Sequence, residues 1–149
     1  MTTSDATLLA VHLMATAAMV GLIWFVQVVH YPLFASVGAD EFVAYENAHT
    51  RLTAFVVGPF MAVEGALAIW LAVDPPPGVH RWLAIGALGV LGLIQLSTVA
   101  LQVPEHSALS AEHDARRIRR LVLTNWVRTI GWSTRGVLAV VMLVTASSS

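Results

Sequence analysis

The sequence predicts an all-α protein: an integral membrane four-helix bundle, one transmembrane domain over residues 1–149, with both termini on the non-cytoplasmic side. Three observations lead there. Of the 149 residues 57% are hydrophobic and only 11% charged, against about 45–50% and about 25% in ordinary soluble domains. Four apolar stretches, residues 8–34, 52–73, 82–103 and 121–145, are each long enough to cross a hydrocarbon core of ~30 Å once. Within them the polar residues recur at helical spacing, which gives each stretch one polar edge.

The same composition excludes several kinds of function. A formal charge of −1 leaves no basic field to hold phosphates, so nucleic acid is not a partner. There is no cysteine, hence no disulfide, thiolate metal site or cysteine nucleophile. There is no lysine either: all eight basic residues are Arg, which rules out Schiff-base chemistry.

The first stretch, 8–34, is expected to be an uncleaved span. Residues 1–7 carry no Lys or Arg, so the positive region of a signal peptide is missing. His12 and His30 lie 18 residues apart, five full turns, and are expected on one face with Thr16 and Gln27 close to it. In 52–73, Gly58-Pro59 should kink the helix and turn freed carbonyls toward a cavity. Pro75-Pro76-Pro77-Gly78 breaks the chain before the third stretch. There Gly86, Gly89 and Gly92 are expected to let a neighbouring helix approach, while Gln95, Thr98, Gln102 and His106 form a polar stripe. The fourth stretch carries its own stripe, Asn125, Arg128, Trp132 and Arg135. Residues 35–51 and 104–120 are expected as loops or short helices lying at the interface. Tyr31 and Trp82 suit the aromatic belt. Arg116, Arg117, Arg119 and Arg120, with Arg51 on the same side, place that side in the cytoplasm.

Lipid satisfies none of these polar groups, so the edges should face one another, in two tiers. Near the cytoplasmic face come His30, His49, Arg51, His106, Asn125 and Arg128. Deeper come Glu64 and Arg135, a structural ion pair expected from their matched depth, with His12 nearer the outer surface. His30, His49 and His106 converge from three spans and are candidate ligands of a transition metal, with Glu46, three residues before His49, as a further carboxylate. The competing reading is interfacial histidines bonded to headgroups, backbone or water. His80 and His113 are expected in solvent. The kit of a titratable base, an amide and a permanent cation makes His30, His106, Asn125 and Arg128 the candidate catalytic residues. Gln27, Tyr31, Gln102 and Trp132 would bind the substrate.

Val103-Pro104-Glu105-His106-Ser107-Ala108-Leu109, followed by Thr124-Asn125-Trp126-Val127-Arg128-Thr129, resembles the small four-helix membrane proteins grouped with anthrone oxygenases. That group carries a Val-Pro-Leu-Asn-like segment after the third span and a Trp-Asn-x-x-Arg-Thr-like segment opening the fourth. Here His106 stands at the first Asn position, and the order around Asn125-Trp126 differs. A closer likeness, through Trp24, Gln27, Tyr31, Pro32 and Glu64, is to uncharacterised bacterial four-helix membrane proteins, which implies a bacterial inner (plasma) membrane. His12-Leu13, Gly21-Leu22 and Trp24-Phe25 resemble membrane protoporphyrinogen oxidases and copper-resistance membrane proteins, which implies a haem or metal near His12.

Two function classes follow. One is a small intramembrane oxidoreductase or oxygenase acting on a lipophilic, aromatic or quinone-like substrate in a polar pocket near the cytoplasmic face. Anthrone-type oxidation first removes an acidic C–H proton, so His106 or His30 would serve as base while Arg128 and Asn125 hold the oxyanion. The other is a non-catalytic haem-, metal- or ligand-binding membrane protein, or an accessory subunit of a larger membrane complex. A transition metal, a haem or no cofactor, and a homo-oligomer or larger complex, are all compatible with the residues.

Overall fold

The computed structural model describes residues 2–148 and is all-helical, with no strand among them. Four helices are long and apolar enough to cross a membrane: α1 (Thr3–Ser36), α2 (Ala39–Val73), α3 (Arg81–Leu109) and α4 (Ala115–Ser147). They run alternately up and down. α1 packs on α2 and α4, and α3 closes the square against the same two. The helices outrun the apolar stretches that announce them. Residues expected at an interface instead open α2, end α3 and open α4, because a helix ends where its hydrogen bonds do and not where hydropathy falls.

Each start and stop has a local cause. Thr2 and Asp5 form a capping box at α1: the Asp5 N–H donates to Thr2 Oγ1 (3.2 Å), and the Thr2 N–H donates to Asp5 Oδ2 (2.8 Å). Gly78, at φ 86°, makes the left-handed step in the turn before α3. Arg81 fastens that turn by donating from Nη2 to the Val73 carbonyl (2.6 Å). Asp114 caps α4, accepting from the Arg116 N–H (2.8 Å) and the Arg117 N–H (3.4 Å), and these bonds hold its carboxyl below the usual range. Glu105 reaches across from the end of α3 to Arg117 (3.2 Å) and Arg120 (3.1 Å).

Two helices are interrupted by π turns, Val26–His30 in α1 and Thr98–Gln102 in α3. Both sit just before a proline. Pro32 and Pro104 have no N–H for the carbonyls of Val28 and Ala100, and their rings press on those carbonyls, so the preceding turn widens. The Tyr31 N–H then bonds the Val26 carbonyl, and the Val103 N–H that of Thr98, five residues back. α2 stays helical through Pro59, and Gly58 and Pro59 face outward rather than toward a cavity.

The interior is layered. At the end holding both termini lies an apolar cluster of Leu9, Leu71, Val79, Ala84, Ala87, Met142 and Ala146. A polar layer of His12, Thr16, Glu64 and Arg135 follows, then Met19, Ile23, Ala68, Leu91, Ile94 and Trp132. A second polar layer comes next, and Tyr31, Phe34, Phe42, Leu109, Ile118 and Leu121 close the end that holds the two connecting loops. The outer surface is apolar, with Met14, Phe55, Trp82, Leu93, Val99 and Val137 all exposed. Trp24 and Trp126 meet edge to face there, at 5.8 Å between centroids.

The glycine expectation for α3 is corrected. A Cβ on Gly86, Gly89 or Gly92 would meet nothing within 4 Å, because these residues face outward. The close approach is on α4, where a Cβ on Gly131 would lie 2.6 Å from Cγ1 of the buried Ile94. Gly131→Ala is therefore expected to destabilise the bundle by about 1–3 kcal/mol through overpacking. Gly92→Ala should cost nothing, as read from thermal unfolding midpoints in detergent.

Candidate functional site

The second polar layer gathers residues from all four helices. The widened turn in α1 makes room for both Gln27 and Tyr31 to point inward, four residues apart. His30 is left half-buried at the α1–α2 seam. Gln27 joins α1 to α4: its Nε2 donates to the Val122 carbonyl (3.1 Å), and its Oε1 accepts from Asn125 Nδ2 (3.0 Å) and the Thr129 hydroxyl (3.2 Å). Asn125 Oδ1 in turn accepts from Arg128 Nη1 (3.1 Å). Gln102, delivered by the other π turn, donates to Thr124 Oγ1 (3.1 Å).

The histidines meet one turn nearer the loop end. His30 Nε2 lies 2.8 Å from His49 Nδ1, and the Thr53 hydroxyl lies 3.1 Å from the same nitrogen. His106 uses both ring nitrogens: Nε2 meets the Tyr31 hydroxyl at 2.8 Å, and Nδ1 meets Glu46 Oε1 at 2.5 Å. The His49 and His106 rings are 5.4 Å apart between centroids. Glu46 is fully buried and its second oxygen, Oε2, has no hydrogen-bond partner. Glu46, His49 and His106 each bring a ligand atom within 4.8 Å of the other two.

Two cavities open beside this cluster, with α2 standing between them. One, of about 460 Å³, is bordered by Tyr31, His49, Gln102, His106 and Arg128 among others. The second, of about 500 Å³, lies between α1 and α2, is almost wholly apolar, and has His30 and His49 in its wall. His49 faces both.

The candidate residues thus divide. His106, Arg128, Tyr31 and Gln102 border the smaller cavity, and His30 borders the larger. Asn125 is fully buried behind Arg128 and Gln27 is sealed against α4, so both position their neighbours rather than reach the cavity. Trp132 is fully buried in the apolar middle layer. Tyr31, expected at the membrane surface, is inside the bundle, because the π turn carries the inward face to it. Gln95, expected on the α3 stripe, faces outward. Glu46 stood outside the catalytic set in the sequence, although its three-residue spacing to His49 was the available signal.

Arg128 forms no ion pair with any described carboxylate, and its buried Nε has no hydrogen-bond partner. Arg135 is the opposite case. It bonds Glu64, His12 Nε2 (3.0 Å) and the Ala87 carbonyl (2.5 Å), all in the other polar layer. His12, the candidate haem ligand, is therefore buried with one nitrogen occupied by Arg135. His80 and His113 are exposed, and His113 rests edge-on against Phe42.

No protein-family model, curated protein or solved structure matches this chain.

Proposed function

We propose that this chain is an integral membrane oxidoreductase, resident in a bacterial inner membrane with its Arg-rich loops in the cytoplasm. Its substrate would be a lipophilic aromatic or quinone-like molecule that ionises to an oxyanion. The observation that carries the reading is Arg128: a permanent cation inside a helical bundle, without a carboxylate, at the edge of a cavity shared with two imidazoles. Arg does not shed its charge, so an anion supplied from outside the chain is the natural partner. The apolar second cavity supports entry from the lipid side.

In this reading an imidazole, His106 or His49, takes a proton from the methylene carbon of an anthrone-like substrate. Arg128, held by Asn125, stabilises the enolate oxygen. Dioxygen is the oxidant. The methylene becomes a carbonyl and the two hydrogens leave with one oxygen atom as water, so that R₂CH₂ + O₂ gives R₂CO + H₂O.

The test is oxygen uptake and carbonyl absorbance with an anthrone supplied to purified protein in lipid nanodiscs. Product should form with one O₂ consumed per carbonyl. Oxidation at the protein-free rate would overturn the proposal. A periplasmically active reporter fused after Ser149 is expected from the orientation, and cytoplasmic activity alone would reverse it.

A further inference from the structure

We propose that Glu46, His49 and His106 bind a divalent first-row transition metal. The inference deepens the oxidation reading of this site, on which only the choice of iron(II) as the working ion rests, and changes one part of it: with the ion bound His49 and His106 are ligands, so the base would be a hydroxide on the ion. Three facts converge on it. The ligand atoms already lie within 4.8 Å of one another, and donors around a bound ion sit about 3.0–3.4 Å apart, so the widest side closes by about 1.8 Å at most, while His106 Nδ1 and Glu46 Oε1, hydrogen-bonded at 2.5 Å, part by under about 1 Å as the ion replaces the proton between them. Glu46 is fully buried yet keeps one oxygen without a partner, which leaves an uncompensated acceptor in the interior unless a cation meets it. Finally, the second nitrogen of each imidazole already has the kind of hydrogen bond a metal site uses.

That last point assigns the tautomers. If His106 gives Nδ1 to the metal, its Nε2–H donates to the Tyr31 hydroxyl at 2.8 Å. If His49 gives Nε2, its Nδ1–H donates to His30 Nε2 at 2.8 Å. Each ligand histidine then has its second nitrogen tied to a neighbour that fixes the ring, as metal-bound imidazoles commonly do. His30 changes role accordingly. Its Nε2 is spent on His49, so it positions a ligand, and Glu46 takes its place among the three ligands. Two imidazoles and one carboxylate leave coordination positions free, and His49 and His106 both border the 460 Å³ cavity. This ligand set suits iron(II) with open sites for substrate and oxygen.

Cobalt(II) is the probe, titrated anaerobically into tag-free protein in detergent and followed by its visible ligand-field absorption. One ion per chain is expected, displaced by zinc(II), with the same affinity in a His80→Ala/His113→Ala variant. His49→Ala, His106→Ala and Glu46→Gln should each weaken binding at least about 100-fold, and His30→Ala about 10–100-fold, the range for residues that only orient a ligand. Circular dichroism and gel filtration check each variant. Should the ligand variants not fold, the wild-type spectrum and the His80→Ala/His113→Ala comparison still decide. Overturning results are no cobalt band in the wild type, binding lost with His80 and His113, or folded His49→Ala binding as tightly as wild type. Metal bound without anthrone oxidation would sink the oxidation reading alone, and anthrone oxidation by wild-type protein that binds no metal would sink this proposal alone.

Discussion

Glu64→Gln should be among the most destabilising single substitutions in the chain, at about 3–5 kcal/mol. Glu64 and Arg135 touch in the polar layer near the termini, where neither side chain is more than 1% exposed. Removing the carboxylate strands a guanidinium whose remaining contacts, the Ala87 carbonyl and His12, carry no negative charge. The reverse change is milder. In Arg135→Gln, Glu64 can take up a proton, or share one with His12 at 3.7 Å, and so escape its charge. Glu64→Gln/Arg135→Gln should then be more stable than Glu64→Gln alone, because the stranded cation is gone. Unfolding midpoints in detergent give the order. If Glu64→Gln melts with the wild type, or the double variant is worse than both singles by their sum, the pair is not coupled as described.

Arg128→Gln is the substitution expected to strike function hardest while sparing the fold. A donor aimed at a developing oxyanion is worth about 10²–10³ in turnover. Arg128 is half-buried, pairs with no described carboxylate and bonds Asn125 Oδ1 and the Tyr31 side chain, so its loss leaves no described carboxylate unpaired. A second variant separates charge from shape. Asn125→Asp keeps the size of the side chain but gives Arg128 an internal anion 3.1 Å away, which should compete with the substrate oxyanion. Binding of a phenolate probe is expected to weaken in both variants while the melting point of Arg128→Gln stays near wild type. Unchanged probe affinity in both would remove Arg128 from the site.

Hydropathy and helical spacing made the four helices, the Glu64–Arg135 pair and the pole of histidines readable before any coordinates. What escaped them has a single physical origin in several places. Spacing arguments count 100° per residue, and a π turn inserts one residue without advancing the face. Counting from His12 at that pitch puts His30 inside, whereas Tyr31 is the buried one. Counting back from Gln102 puts Gln95 inside, whereas the buried residue before the bulge is Ser97, five positions earlier. The prolines that cause both shifts, Pro32 and Pro104, are plain in the sequence. Glu46 reads in the sequence only as a further carboxylate beside His49, because residues 39–51 are too polar to count as part of a span, yet the helix includes them.

The apolar sheet of side chains between the two polar layers bears on energy conservation in the cell. A voltage of 100 mV drives a proton with about 2.3 kcal/mol, and any unbroken file of imidazoles, carboxylates and hydroxyls through a bilayer would short-circuit it. This bundle carries such groups near both ends, yet Met19, Ile23, Leu91, Ile94 and Trp132 lie between them, and the buried indole N–H of Trp132 bonds to neither layer. In the membrane proposed for it, such a bundle would hold a strongly polar interior while the gradient across that membrane stays insulated.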